Sequence, residues 1–146
     1  MKRKVIFVLL IIGLTTLTGC FGFTKTFSGI GITIELDSTF IKKDAIQAPL
    51  FIESTKHIFT GVRETKEEIN ELGIDTLGQY INAILTGNGK TASVEEYDED
   101  GLKYYYAYYT SKVTDRSFGY MMIVMEGKEH FYAMNFGCLE DILESK

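Results

Sequence analysis

Apolar and polar residues alternate from Ile30 to Leu36. Ile30, Ile32, Ile34 and Leu36 fall on one side, and Gly31, Thr33 and Glu35 on the other. That period of two predicts a strand with one buried face, ended by Asp37-Ser38. An unpatterned stretch runs on to Pro49. Leu50–Ser54 and Ile58–Arg63 then predict a hairpin with Thr55-Lys56 near its turn. Thr65 and Glu68 stand at capping-box spacing. Ile69 and Leu72 follow three apart and Gly73 closes the segment, so a short helix is predicted. A clearer helix comes next. Leu77, Tyr80, Ile81, Ile84 and Leu85 share one face at helical spacing, with Asp75 or Thr76 as cap and Gly87-Asn88-Gly89 as stop. From Thr91 the pattern is a β meander: Thr91–Tyr97, Leu102–Lys112, Phe118–Met125 and His130–Phe136. Asp98-Glu99-Asp100-Gly101, Thr114-Asp115-Arg116 and Gly127-Lys128 supply its turns.

The middle strands are apolar on both sides. Phe118, Tyr120, Met122 and Val124 back onto Met121, Ile123 and Met125; Tyr104, Tyr106 and Tyr108 back onto Tyr105, Ala107 and Tyr109. A sheet with one wet face would alternate with polar residues instead. The expectation is therefore an α+β fold, an antiparallel sheet with helices on both faces. The last helix starts at Leu139, Ile142 and Leu143, and the sequence stops at Lys146. Two turns of helix do not cover a sheet spanned by the five tyrosines of Tyr104–Tyr109. Either residues 38–49 cover it, or an apolar groove stays open.

The N-terminal pattern is of another kind. Lys2, Arg3 and Lys4 precede an apolar run from Val5 to Leu17, and Leu17-Thr18-Gly19-Cys20 follows. A charged region, a short apolar region and a small residue before cysteine form a bacterial lipoprotein signal. The run is shorter than the roughly 20 residues that span a hydrocarbon core. Residues 1–19 are thus expected to be the signal peptide and Cys20 the lipid-bearing residue. Residues 20–28 would be a tether of at most roughly 26 Å beyond the lipid, and 29–146 one domain. One acyl chain anchors marginally and two hold firmly, which a diacylglyceryl group satisfies. The expected location is the extracytoplasmic face of the cell membrane, and the Ile, Lys, Phe and Tyr usage fits an AT-rich Gram-positive genome.

The order of elements now has a parallel. A Gly-Ile-Thr-Ile-Glu-Leu strand, a hairpin, a helix after Gly73-Ile74-Asp75-Thr76-Leu77, an Asp-Gly turn and a hairpin ending in Glu129-His130-Phe131-Tyr132 precede the final helix. This resembles the PsbP/Mog1-like α/β/α sandwich, including bacterial lipoproteins of that type. The resemblance implies binding roles more than catalysis and carries over no functional residues. Domains of that kind end in a long helix across the sheet, and this chain departs from them there.

Charge and chemistry narrow the function further. Without the signal, 12 Lys and Arg face 20 Asp and Glu, a formal charge of −8. No basic patch exists for nucleic acid, so no nucleic-acid partner is expected. With Cys20 lipidated, Cys138 has no partner in the chain and reads as a small buried hydrophobe. Glu96, Asp98, Asp100 and Gly101 match the first half of a calcium loop, but its twelfth position is Ala107 and its flanks are strands. A hairpin turn is expected there. His57 and His130 lack companions at ligand spacing, and Gly87-Asn88-Gly89-Lys90 ends a helix, where the dipole repels anions. No metal, cofactor or catalytic residue is expected. The most unusual segment is Tyr104 to Tyr109. Tyrosine buries much area while keeping a polar tip, so Tyr104, Tyr106 and Tyr108 form the candidate binding surface. The expected function is a membrane-anchored, non-catalytic binding or accessory domain for an envelope protein or a small apolar ligand. The alternative is an envelope hydrolase using paired carboxylates as acid and base.

Overall fold

The computed structural model describes residues 23–46 and 48–143. The signal assigned to residues 1–19, and Cys20, lie outside them. Twelve elements follow in order: β1 Thr24–Gly29, β2 Ile32–Asp37, β3 Ile41–Lys43, β4 Leu50–Glu53, β5 His57–Thr65, α1 Lys66–Glu71, α2 Leu77–Gly87, β6 Val94–Glu99, β7 Leu102–Val113, β8 Arg116–Glu126, β9 His130–Leu139 and α3 Glu140–Leu143. Strands β3 to β9 make a seven-stranded antiparallel sheet in the order β3-β4-β5-β9-β8-β7-β6, while β1 and β2 pair only with each other. The fold is mostly antiparallel sheet.

Local chemistry sets the helices. At α1 the Thr65 hydroxyl accepts from Glu68 N and donates to the Glu68 carboxylate at 2.7 Å. At α2, Thr76 and Gln79 form a reciprocal capping box, which satisfies two amides that the helix leaves without intrahelical partners. Leu77, Tyr80, Ile81 and Leu85 are the buried face of α2. They pack with Ile69 of α1 on Ala107, Met122, Val124, Phe131 and Ala133 of the sheet. Full burial of each large aliphatic or aromatic side chain there contributes about 1.5–3 kcal/mol. Tyr80 also stacks on Phe131, ring centres 4.9 Å apart, and its hydroxyl donates to Glu64 at 2.6 Å.

The opposite face differs from the expectation. Helices α1 and α2 share one face, and the molecule is more sheet-rich than an even sandwich. The second face is covered by the β1–β2 hairpin, whose Phe27, Ile30, Ile32, Ile34 and Leu36 pack on Leu50, Ile52, Phe59 and Met134. The double-sided apolar pattern required cover on each side but did not specify which element supplies it. The tether is corrected for the same reason: from Thr24 onward, residues assigned to it are strand. Ile30 and Gly31 both adopt left-handed backbone (φ 52° and 81°), the geometry of a two-residue hairpin turn. The single strand expected from Ile30 is therefore the second arm of a hairpin. The described residues of 38–49 leave the tyrosine-bearing half of the face uncovered. They place Phe40 in the core beneath the hairpin and Ile41–Lys43 at the edge beside β4.

Candidate binding groove

The hairpin occupies only half of its face. Beyond β2, the even-numbered residues of β7 and the odd-numbered residues of β8 continue uncovered, in the pairs Tyr108–Met121 and Tyr106–Ile123. Between the hairpin and this floor lies a groove of about 380 Å³. Ile32, Thr33 and Ile34 of β2 make one wall; Met121, Ile123, Met125, Met134 and Phe136 make the floor with Phe59. Thr33 supplies the only polar side chain among those lining residues. Methionine fills irregular space and adapts to varied partners, and this floor contains three.

The three tyrosines singled out in the sequence stand together beside that floor. Tyr104 stacks on Tyr97 of β6 at 4.7 Å, and Tyr106 lies 6.0 Å from Tyr104 and 5.9 Å from Tyr108. The row runs from half-buried Tyr104 and Tyr106 to Tyr108, which is 64% exposed. The Tyr106 hydroxyl donates to Glu95 at 2.7 Å and that of Tyr97 to Glu99 at 3.2 Å. Each bond to a carboxylate raises the pKa of its phenol, because ionising the tyrosine would set two anions together. The groove thus runs from an apolar floor through an aromatic band to an acidic rim.

Met121, Ile123, Met125, Met134 and Phe136 belong to the surface as much as the tyrosines do. Their signal was present in the two apolar faces of Phe118–Met125, and the open groove is one of the two outcomes expected for that pattern. Phe136 is 39% exposed and the others are half-buried.

The helix-bearing face has its own depression beyond α2, of about 470 Å³, lined by Thr60, Asn88, Lys90, Tyr109, Tyr120 and Asn135 among others. Three of its polar side chains are engaged. Tyr109 donates to Asn135 at 2.7 Å and stacks on Tyr120 at 5.3 Å, and Lys90 donates to the Thr110 carbonyl at 2.9 Å. Burial pushes the Tyr109 phenol up to about 12.

The remaining candidates fall apart as sites. Asp100 and Gly101 form the left-handed turn between β6 and β7, and Glu96 pairs with Lys103 at 3.2 Å. Asn88 caps the end of α2 and bonds the Ile84 carbonyl. His57 begins β5 with Nδ1 3.3 Å from Ser54 Oγ, its ring between Phe40 and Phe136. His130 begins β9 at the far end of the same strand pair. Among the described residues, no group of three or more His, Cys, Asp or Glu is placed to hold a metal ion. Cys138, expected to be buried, is half-exposed at the end of β9, and its thiol lies 3.3 Å from the Leu139 carbonyl. No helix among the described residues is long and apolar enough to cross a membrane.

No family model matches the chain, and no curated protein matches it in sequence. Its fold is PsbP-like: it is similar to the solution structure of cyanobacterial PsbP (CyanoP) from Synechocystis sp. PCC 6803, with a TM-score of 0.59. That likeness covers 86% of this chain and 85% of the other at 14% identity. It extends to the fold, while function must be argued from the site.

Proposed function

We propose that this chain is a membrane-anchored extracytoplasmic binding domain without catalytic chemistry. A lipid on Cys20 holds it, and the open half of its sheet engages an envelope protein or a small apolar ligand. The observation that carries the reading is the groove beside β2, a contiguous apolar floor left without cover. A concave apolar pocket with few polar groups suits a ligand or a peptide anchor. At its far rim, Glu95 and Glu99 each accept from a tyrosine hydroxyl. They line a rim and do not form a facing acid–base pair.

Two variants test the reading. Cys20→Ser should move the protein from the membrane fraction to the soluble fraction. In that soluble form, Ile123→Lys should weaken binding of an apolar fluorescent probe about tenfold, since it sets a charge in an apolar site. Its melting temperature should stay close to that of the parent, because Ile123 is only half-buried. A folded parent that binds no probe would remove the basis for the proposal.

A further inference from the structure

We infer that the groove is a strand-addition site, where an extended peptide segment pairs with the free edge of β2. The segment would be apolar at alternate positions and rich in lysine or arginine between them. This deepens the reading above and rests on it, since the groove must first be a binding surface.

The hairpin register supplies the first argument. Gly29 and Ile32 flank the two-residue turn, so they exchange both backbone hydrogen bonds, and bonded pairs then alternate along the ladder. Phe27 with Ile34 and Lys25 with Leu36 are bonded pairs. Thr33 and Glu35 consequently turn their N–H and C=O groups away from β1, toward the groove. On the outer edge of β1 the equivalent group is occupied: Lys42 Nζ donates to the Ser28 carbonyl at 2.7 Å. Among the described residues, the main-chain groups of Thr33 and Glu35 have no such partner.

The second argument is what lies beneath that edge. A strand added beside β2 sits about 4.8 Å from it, which places it over Met121, Ile123 and Met125. Every second side chain would point down onto this floor, as recognition by strand addition requires. The other free edges lack that combination. Strand β6 carries Glu95, Glu96, Asp98 and Glu99 and is the last strand of its sheet, and β3 is three residues long.

Charge sets the chemistry of the partner. Glu35 projects from the solvent side of β2, Glu95 and Glu99 stand at the far rim, and no Lys or Arg lines the groove. A basic strand meets carboxylates on both sides. A second copy of this chain fits worse, because β2 against β2 would bring Glu35 and Asp37 toward their own duplicates.

The test uses the full lipid-anchored protein in nanodiscs of zwitterionic lipid, with empty nanodiscs as the blank. A dye-labelled, end-capped peptide of alternating isoleucine and lysine is titrated and followed by anisotropy. A copy of the peptide is N-methylated on the edge that would face β2. The plain peptide should bind, and the methylated copy should bind about tenfold more weakly for each main-chain bond lost. Thr33→Pro removes one outward N–H, spares the main-chain bonds to β1 and loses only the exposed Ser28–Thr33 hydroxyl contact; it should weaken the plain peptide similarly, and Thr33→Ala, which loses the same hydroxyl contact but keeps the N–H, should not. Glu35→Gln should weaken it several-fold, an effect that disappears in high salt. Equal binding of the plain and methylated peptides would overturn strand addition while leaving the groove a side-chain binding site. Probe binding without peptide binding would also overturn it and leave the small apolar ligand as occupant. Loss of both would remove the binding reading itself, and a concentration-dependent dimer that excludes the peptide would assign the edge to a second copy.

Discussion

Phe27→Ala separates the hairpin from the rest of the molecule. Phe27 is 8% exposed and is the buried anchor of the β1–β2 hairpin; its companions Ile30, Ile32, Ile34 and Leu36 are half-buried. Truncating a buried phenylalanine costs about 3–5 kcal/mol. The hairpin shares no ladder with the seven-stranded sheet, and a lone two-stranded hairpin is marginal in water. Its attachment is therefore side-chain packing plus the Lys42 bond, a few kcal/mol net of ordering, and the substitution removes a comparable amount. The hairpin should undock while the sheet persists. Native-state hydrogen exchange is the assay: amides of Ile32, Ile34 and Leu36 should lose protection, and those of Val124 and Ala133 should keep it. Apolar-dye binding should rise as Leu50, Ile52 and Phe59 are uncovered. Equal loss of protection in both sets would refute the reasoning, since it would make the hairpin part of one cooperative unit.

Three further outcomes follow from contacts and titrating groups. Tyr80→Phe leaves the stack on Phe131 but deprives Glu64 of its donor, and should lower stability by about 1–2 kcal/mol in urea unfolding. Leu85→Ala, in the face of α2 buried against the sheet, should cost about 2–5 kcal/mol, read in the same titration. Alkaline pH acts in part through Tyr109, alongside Tyr80, whose phenol burial and Glu64 raise further. The folded Tyr109 pKa of about 12 lies above the ordinary 10.0, so the folded state holds its proton longer than the unfolded chain. That stabilisation is fully present below pH 10 and is lost as pH rises from 10 to 12; Tyr109→Phe should flatten this part of the stability profile.

Much of the fold was legible because periodicity reports faces directly. The spacing of Leu77, Tyr80, Ile81 and Leu85 placed α2, Thr65 and Thr76 marked the caps, and the turns of the meander were written in Asp100-Gly101 and Gly127-Lys128. The hairpin was hidden by its own turn. Isoleucine is rare in left-handed backbone, so Ile30-Gly31 gave no turn signal and continued the alternation of β2 instead. Phe27 was assigned to a tether because it follows closely on the expected lipid site, Cys20. The site was half visible. The tyrosine row drew attention through composition, whereas Met121, Ile123 and Met125 signalled only that they prefer an apolar neighbour. Which half of a face a neighbouring element leaves bare depends on how far the hairpin reaches, a tertiary quantity that no local spacing encodes.

The position of β9 carries a consequence for how the chain comes together. The last strand in sequence lies fourth in a row of seven, bonded to β5 on one side and β8 on the other. Strands β6 to β9 are joined by tight turns and can associate as they emerge, but the β5–β9 seam spans the whole middle of the chain. Such non-local closure is slow, because the intervening loop must be ordered before the contact rewards it. Until residue 139 is available, β3, β4 and β5 have no sheet to join. The chain thus keeps β3, β4 and β5 unfinished until its C-terminal strand arrives, a delay set by the order of strands in the sheet.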